Sequence, residues 1–341
     1  AVEYLYPDIR LGTLWNVLGS DVDLGFILIG IAATALVTWV NYLGIRTAAM
    51  LQAVVTIVII GTGILLVTGA IAFGDINNAQ PWIATPVSGI LIVLIMVPSM
   101  LVGFDVIPQS AEEIDLPPNK IGRLLVFSVA CAVAWYILIA MAVGFGLTTQ
   151  ALSTAKMATA DAATSLWSGS WAGGLLVLGG IGGILTSWNA FIVGASRVLF
   201  ALAESGHVPK IFAKIHPKHK TPYVGILAIG ALTMVAPLFG RTILVWLVNS
   251  GSFAVTVAFV FVAISFLVLR KTEPDMPRPF KVSRPNLVGY GGVIMALGLL
   301  SAFFPWSASA LSWPEEWMTI LIWSLLGGVL FIRYERNRSN S

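Results

Sequence analysis

Asp105 is the one carboxylate of this 341-residue chain placed within an apolar run and away from any basic residue. An ionised side chain at that depth is costly, so an acid kept there is a candidate for work. It could take up a proton or pair with a ligand's ammonium; the plainer alternative is a partner near the end of the run. Pro98 and Gly103 interrupt the same run. Proline removes a backbone N–H and clashes with the preceding turn, and glycine lowers the cost of leaving helical geometry. A break is therefore expected across Ser99, Met100, Leu101, Val102, Gly103 and Phe104, whose freed backbone groups and half-helix dipoles could hold a small polar solute; a kink repaired by neighbouring helices is the other reading. Thr186 and Ser187 put two adjacent hydroxyls into a run of small and apolar residues. Hard oxygens suit a sodium ion, whereas back-bonding to the preceding turn would occupy them without a ligand. Glu112 and Glu113 follow Asp105 by one to two turns, within reach of Lys120, Arg123 and Arg197. They could form an ion-pair network or a merely solvated helix end, since exposed pairs contribute about 0–1 kcal/mol.

Other chemistry is excluded more simply. His207, His216 and His219 share one basic loop without the spacing or acidic company of a metal site. Cys131 is the single cysteine and lies in an apolar run, so no intrachain disulfide or thiolate cluster can form, and packing is its expected role. With no HExxH, nucleophile–base pair or intramembrane histidine cluster, an enzyme is not expected. A net charge of +3 and the absence of a nucleic-acid module offer nothing to nucleic acid, and no metal or organic cofactor is implied beyond a coupling Na+ or H+. A receptor would ordinarily bring a soluble signalling domain, and the loops here are short and mostly basic.

The elements that must position these residues follow from composition. The chain is 57% hydrophobic and 10% charged, against about a quarter charged in soluble domains. Apolar runs of about 20 residues, long enough for a helix to cross about 30 Å of hydrocarbon, recur throughout. Nine spans are expected, at 25–41, 48–73, 87–114, 124–147, 173–203, 223–239, 243–269, 288–304 and 318–332. The fold class is an all-α integral membrane bundle with its third span broken. Numbering the crossings gathers all but three of the 19 Lys and Arg residues on one side, the exceptions being Arg10, Lys156 and Arg241. Cytoplasmic loops collect Lys and Arg, so the C-terminus is expected in the cytoplasm and the N-terminus outside. Trp82, Trp167, Trp171, Trp306, Trp313 and Trp317 fall at the outer ends, where an aromatic belt belongs. Ala1 in place of an initiator Met, with no signal peptide before an exported 3–23 loop, leads to the expectation of an odd number of helices upstream.

Four segments carry a family resemblance. Gly103-Phe104-Asp105-Val106-Ile107-Pro108-Gln109-Ser110-Ala111-Glu112-Glu113, followed by Pro117 and Ile121, resembles the sixth helix and following loop of the amino acid–polyamine–organocation superfamily. Asn41-Tyr42-Leu43-Gly44-Ile45-Arg46 is similar to the junction of its fourth and fifth helices. Ser196-Arg197-Val198-Leu199 with 203–209 resembles the exit of its eighth, and Leu269-Arg270 through 278–282 the stretch after its tenth. The resemblance implies a five-plus-five inverted-repeat transporter fold lacking its first three helices. Residues 1–73 would complete the first repeat, 87–269 form the second, and 288–332 supply two accessory helices of one transport domain. It further implies a permease that moves amino acids by alternating access, ion-coupled or by exchange, in a plasma membrane such as a bacterial inner membrane. A polyamine, ethanolamine or other amine permease is the alternative. Partners would be that small substrate and the lipid bilayer; the oligomeric state is left open. The stretch 99–104 would cradle the substrate, Trp188 could cover it in place of an aromatic usual where Ser99 stands, and packing is the competing role for Trp188. Thr186 and Ser187 match a hydroxyl pair of sodium symporters with this fold. Ile59 stands where proton-coupled members carry lysine, which weakens the case for proton coupling through that position. Glu112, Glu113, Lys120, Arg123 and Arg197 would make an inner gate.

Overall fold

The computed structural model describes residues 2–6, 9, 11–80, 101–111, 114–307 and 309–339, and over these the chain is mostly helical. The helix α1 (Val2–Leu5) and a hairpin of β1 (Thr13–Val17) and β2 (Ser20–Asp23) precede the first long helix. This hairpin replaces the plain loop expected at 3–23. Leu18 and Gly19 both take positive φ (49° and 81°), a turn whose twist suits antiparallel strands. Asp23 ends the hairpin and caps α2 (Leu24–Leu43): its carboxylate accepts the N–H groups of Gly25 at 2.8 Å and of Leu11 and Gly12 at 3.2 Å.

Gly44, at φ 129°, turns the chain from α2 directly into α3 (Ile45–Phe73). Then come the short α4 (Val106–Gln109), α5 (Pro118–Gly146), α6 (Thr149–Thr154), α7 (Ala158–Leu166) and the 35-residue α8 (Ser170–Glu204). The chain continues with α9 (Tyr223–Val235), α10 (Gly240–Thr272), α11 (Pro285–Ser301) and α12 (Glu315–Ser339). Eight of the nine expected spans coincide with these helices. Most of the span expected at 87–114 lies outside the described residues. Among the described residues, six helical runs are long and apolar enough to cross a membrane; Tyr223–Thr272 counts as one of them, and Pro285–Ser301 is a shorter apolar helix.

The differences from expectation sit at helix ends. Span starts were expected at 124 and 288, but the helices begin at Pro118 and Pro285. Proline at the first helical position has a preset φ and lacks an N–H that the first turn would leave unpaired anyway. The run at 223–239 ends as a helix at Val235 and passes through a 3-10 turn at Ala236–Phe239, where Pro237 and then Gly240 (φ 72°) break the α geometry. The loop after α5 contains α6 and α7, neither of which its composition announced. Ala160, Ala162 and Ala163 of α7 are fully buried against α8, so small size rather than hydrophobic length forms that contact.

α8 is the central element. Its N-terminal half packs with α3, α5 and α7 around Leu66, Ala142, Leu166 and Val177; its C-terminal half joins α2 and α9 through Val37, Ile192 and Ile226. Two of the α8 glycines, Gly179 and Gly182, let neighbouring elements pack close. A Cβ at Gly179 would collide with Thr62, and one at Gly182 would lie 2.6 Å from Val55 Cγ1. At the far end of the bundle, buried Glu316 fixes the start of α12 on α10: its carboxylate accepts Asn249 Nδ2 and the Ser312 N–H, both at 2.7 Å.

Candidate functional site

The chain runs through a turn over 101–105 and becomes helical in α4. Gly103 has φ 121°, a conformation that L side chains rarely adopt. Asp105 closes this turn. Its Oδ1 accepts the Gly103 N–H at 3.0 Å and its Oδ2 accepts Gln109 Nε2 at 2.9 Å. Gln109 in turn lies so close to α8 that any Cβ at Gly194 would meet its amide oxygen, so glycine at that position lets α4 approach α8. Phe104 stacks on Phe259 of α10 at 5.6 Å between ring centroids. Leu101 is half-buried, and Val102 borders a separate apolar groove on α8. Ser99 and Met100 lie outside the described residues.

A cavity of about 320 Å³ opens beside Gly103, between α4, the first turns of α3 and the middle of α8. Gly103, Ser110, Gln52 and Asn189 supply its polar lining, Val106 and Val193 part of its apolar lining. Ser110 is buried and among the described residues its hydroxyl has no hydrogen-bond partner, an orphaned group at a site able to receive a polar ligand atom.

Behind this cavity runs a network of amides that the sequence reading passed over. Asn41 Nδ2 donates to Asn189 Oδ1 at 2.8 Å and to the Val37 carbonyl at 2.9 Å. Asn189 Nδ2 divides its donation between Gln52 Oε1 at 3.2 Å and the Ala48 carbonyl at 3.3 Å. Asn41 and Asn189 are both only 3% exposed, so α2, α3 and α8 are joined by polar contacts inside an apolar bundle. The available signal was the amides themselves, for each is a polar group in a run of apolar residues that must find a partner.

The remaining expected residues divide. Thr186 is buried and its hydroxyl donates to the Gly183 carbonyl at 2.9 Å, whereas Ser187 points to an exposed face of the same unbroken helix. The two hydroxyls thus do not converge in this conformation. Ile59 lies opposite Gly183, 3.9 Å from where a Cβ would stand, and so faces the turn that bears Thr186. The Trp188 ring packs against the Val37, Ile192 and Ile226 cluster. Arg197 donates to the Val193 carbonyl and to Ser196 Oγ, while Lys120 and Arg123 are exposed at the start of α5. Glu112 and Glu113 lie outside the described residues.

The sequence model of a family described as amino acid permease matches residues 11–326. The chain is 30% identical over 311 residues to the branched-chain amino acid permease BcaP of Bacillus subtilis (strain 168), an alignment covering 89% of this chain and 63% of that protein. It is 25% identical over 329 residues to the methylthioribose transporter of the same organism, covering 94% and 67%. A cationic amino acid transporter 4 of Homo sapiens shares 32% identity over 182 residues, covering 52% of this chain and 28% of its own length. The chain thus spans less than two thirds of the length of the first of these relatives.

Proposed function

The chain belongs to the amino acid permease family, and from that premise we propose that it forms the substrate-binding part of a secondary transporter that moves amino acids across the membrane by alternating access. The turn at 101–105, with Gly103 at φ 121° held by Asp105, is the observation that carries the reading. Irregular backbone persists in an apolar bundle only where it is buried in protein or lines a cavity, and here it borders one. Asp105 acts as the latch of that turn, and the orphaned Ser110 hydroxyl with Asn189 and Gln52 offers neutral hydrogen-bonding partners on the path. Among the described residues no charged group lines the cavity beside Gly103. A neutral aliphatic amino acid is therefore the first substrate to test, which agrees with the printed name of the B. subtilis relative BcaP.

Finer assignments belong to the same proposal. Residues 87–269 form an inverted repeat of the segment that ends at 73, and 288–332 are accessory to it. Ser99, Met100, Leu101, Val102, Gly103 and Phe104 cradle the substrate, with Trp188 as the aromatic that faces it from α8. Coupling uses Na+ at Thr186 and Ser187, with a proton at Asp105 as the second mode. The Thr186 hydroxyl spends its proton on Gly183, which leaves its lone pairs to a cation. Glu112 and Glu113 close the inner end against Lys120, Arg123 and Arg197, and the C-terminus is cytoplasmic. Uptake of radiolabelled leucine, lysine and putrescine by proteoliposomes holding the intact protein tests the whole reading. Leucine uptake that needs external Na+ and fails in Thr186→Val supports it. Uptake of putrescine alone would replace the amino acid by an amine, and no uptake of any of the three would sink the transport assignment.

A further inference from the structure

Two cavities meet at the cation-rich end of the bundle. One is an apolar groove of about 880 Å³ between α8, α9 and α12. Trp323, Leu326, Gly327 and Leu330 line it at the i, i+3, i+4, i+7 spacing that puts them on one face of α12. The second, of about 620 Å³, is lined by His207, Lys210, Tyr334, Arg333 and Arg338. Val208, Pro209 and Leu330 border both, so groove and basic pocket are continuous.

The pocket is built rather than incidental. α8 ends with Gly206 at φ 84° and the His207 N–H on the Leu202 carbonyl at 2.9 Å, a glycine stop that fixes where the next residue points. The His207 ring stacks on Tyr334 of α12 with centroids 4.1 Å apart and planes 13° from parallel, and its Nδ1 meets Ser205 Oγ at 2.9 Å. This contact ties the end of α8 to α12 and brings Lys210, one turn on, and Arg333 to the same pocket. Among the described residues no carboxylate lines that pocket. Among the described residues Asp105 is the one acid on the apolar groove, and both of its oxygens already accept hydrogen bonds.

A free phosphate would use only the basic pocket, and a neutral lipid only the groove. Continuity of the two matches an amphiphile with an anionic head and an apolar chain. We propose that this is a binding site for an anionic glycerophospholipid, with its phosphodiester between Lys210 and Arg333 and one acyl chain along the Trp323–Leu330 face of α12. The inference uses none of the transport assignments and stands or falls without them.

The test follows the thermal unfolding midpoint of the intact protein in detergent while dioleoylphosphatidylglycerol, dioleoylphosphatidylcholine or inorganic phosphate is titrated, with native mass spectrometry counting retained lipid. A saturable rise with phosphatidylglycerol alone is expected. The Lys210→Gln/Arg333→Gln double variant should weaken the apparent affinity roughly thirty-fold, from about 1 kcal/mol per basic residue near an anionic surface and tenfold per 1.4 kcal/mol. Gly327→Phe fills the groove at a position where a Cβ meets nothing within 4 Å, and should abolish the shift with the cations intact. Equal stabilisation by phosphatidylcholine, a full shift with phosphate alone, or unaltered affinity in the double variant would each overturn the site.

Discussion

Replacing Asn189 by leucine should cost the bundle about 2 kcal/mol, and most of that cost should vanish when Asn41 is already leucine. Leucine keeps the branched heavy-atom skeleton of asparagine, so no cavity is opened and the lost hydrogen bonds enter the cost directly. Interhelical hydrogen bonds in membrane bundles contribute about 0.6 kcal/mol on average and about 1.7 kcal/mol at most. The 2.8 Å bond from Asn41 belongs near the upper figure, and the divided donation to Gln52 and Ala48, at 3.2 and 3.3 Å, near the average. Reversible unfolding in mixed micelles of the wild type, Asn189→Leu, Asn41→Leu and the double variant gives the coupling directly. A coupling of about 1.5 kcal/mol is expected. Single-variant losses that simply add, to within about 0.3 kcal/mol, would refute the idea that these two amides hold α2 to α8 as a unit.

Gly103→Ala imposes only backbone strain, because no atom lies within 4 Å of the new methyl. At φ 121° the strain is about 1–3 kcal/mol, so transport in proteoliposomes should fall while Gly61→Ala, also in open space, leaves it unchanged. Gly179→Ala should destabilise by about 1–3 kcal/mol through its clash with Thr62, whereas Gly180→Ala, which faces open space, should stay within about 0.5 kcal/mol in the same unfolding assay. Tyr4 donates its phenol to Asp161 at 2.7 Å, and that hydrogen bond to the carboxylate, with burial adding to it, raises the phenol above its usual range near 10. The contact therefore stabilises the packing of the N-terminal segment on α7 fully below the unfolded value, and that contribution is lost as pH rises through the folded one. An absorbance titration should show one late-ionising tyrosine that Tyr4→Phe removes; an unchanged titration would disconnect Tyr4 from Asp161.

What could be read from the chain alone divides along a physical line. A membrane span integrates one property over some 20 residues, so single substitutions barely move it, and eight expected spans reappear as helices displaced only at their ends. The irregular turn at Gly103 and Asp105 was legible for a related reason, since an acid and a glycine in an apolar run each violate the local rule. The hairpin at 13–23 was not legible, because its turn is Leu18-Gly19 rather than a strong turn pair and its support comes from Trp15 donating to the Leu238 carbonyl and Ser20 bonding Thr242. Nor was the pairing of Asn41 with Asn189, which are 148 residues apart. Nor does adjacency tell where Thr186 and Ser187 point, since successive residues on a continuous helix face different surroundings, Thr186 buried and Ser187 exposed. A polar side chain in an apolar run announces that a partner must exist; which partner it meets depends on how the helices dock, and here the small residues of α7 and the glycines of α8 decide that docking.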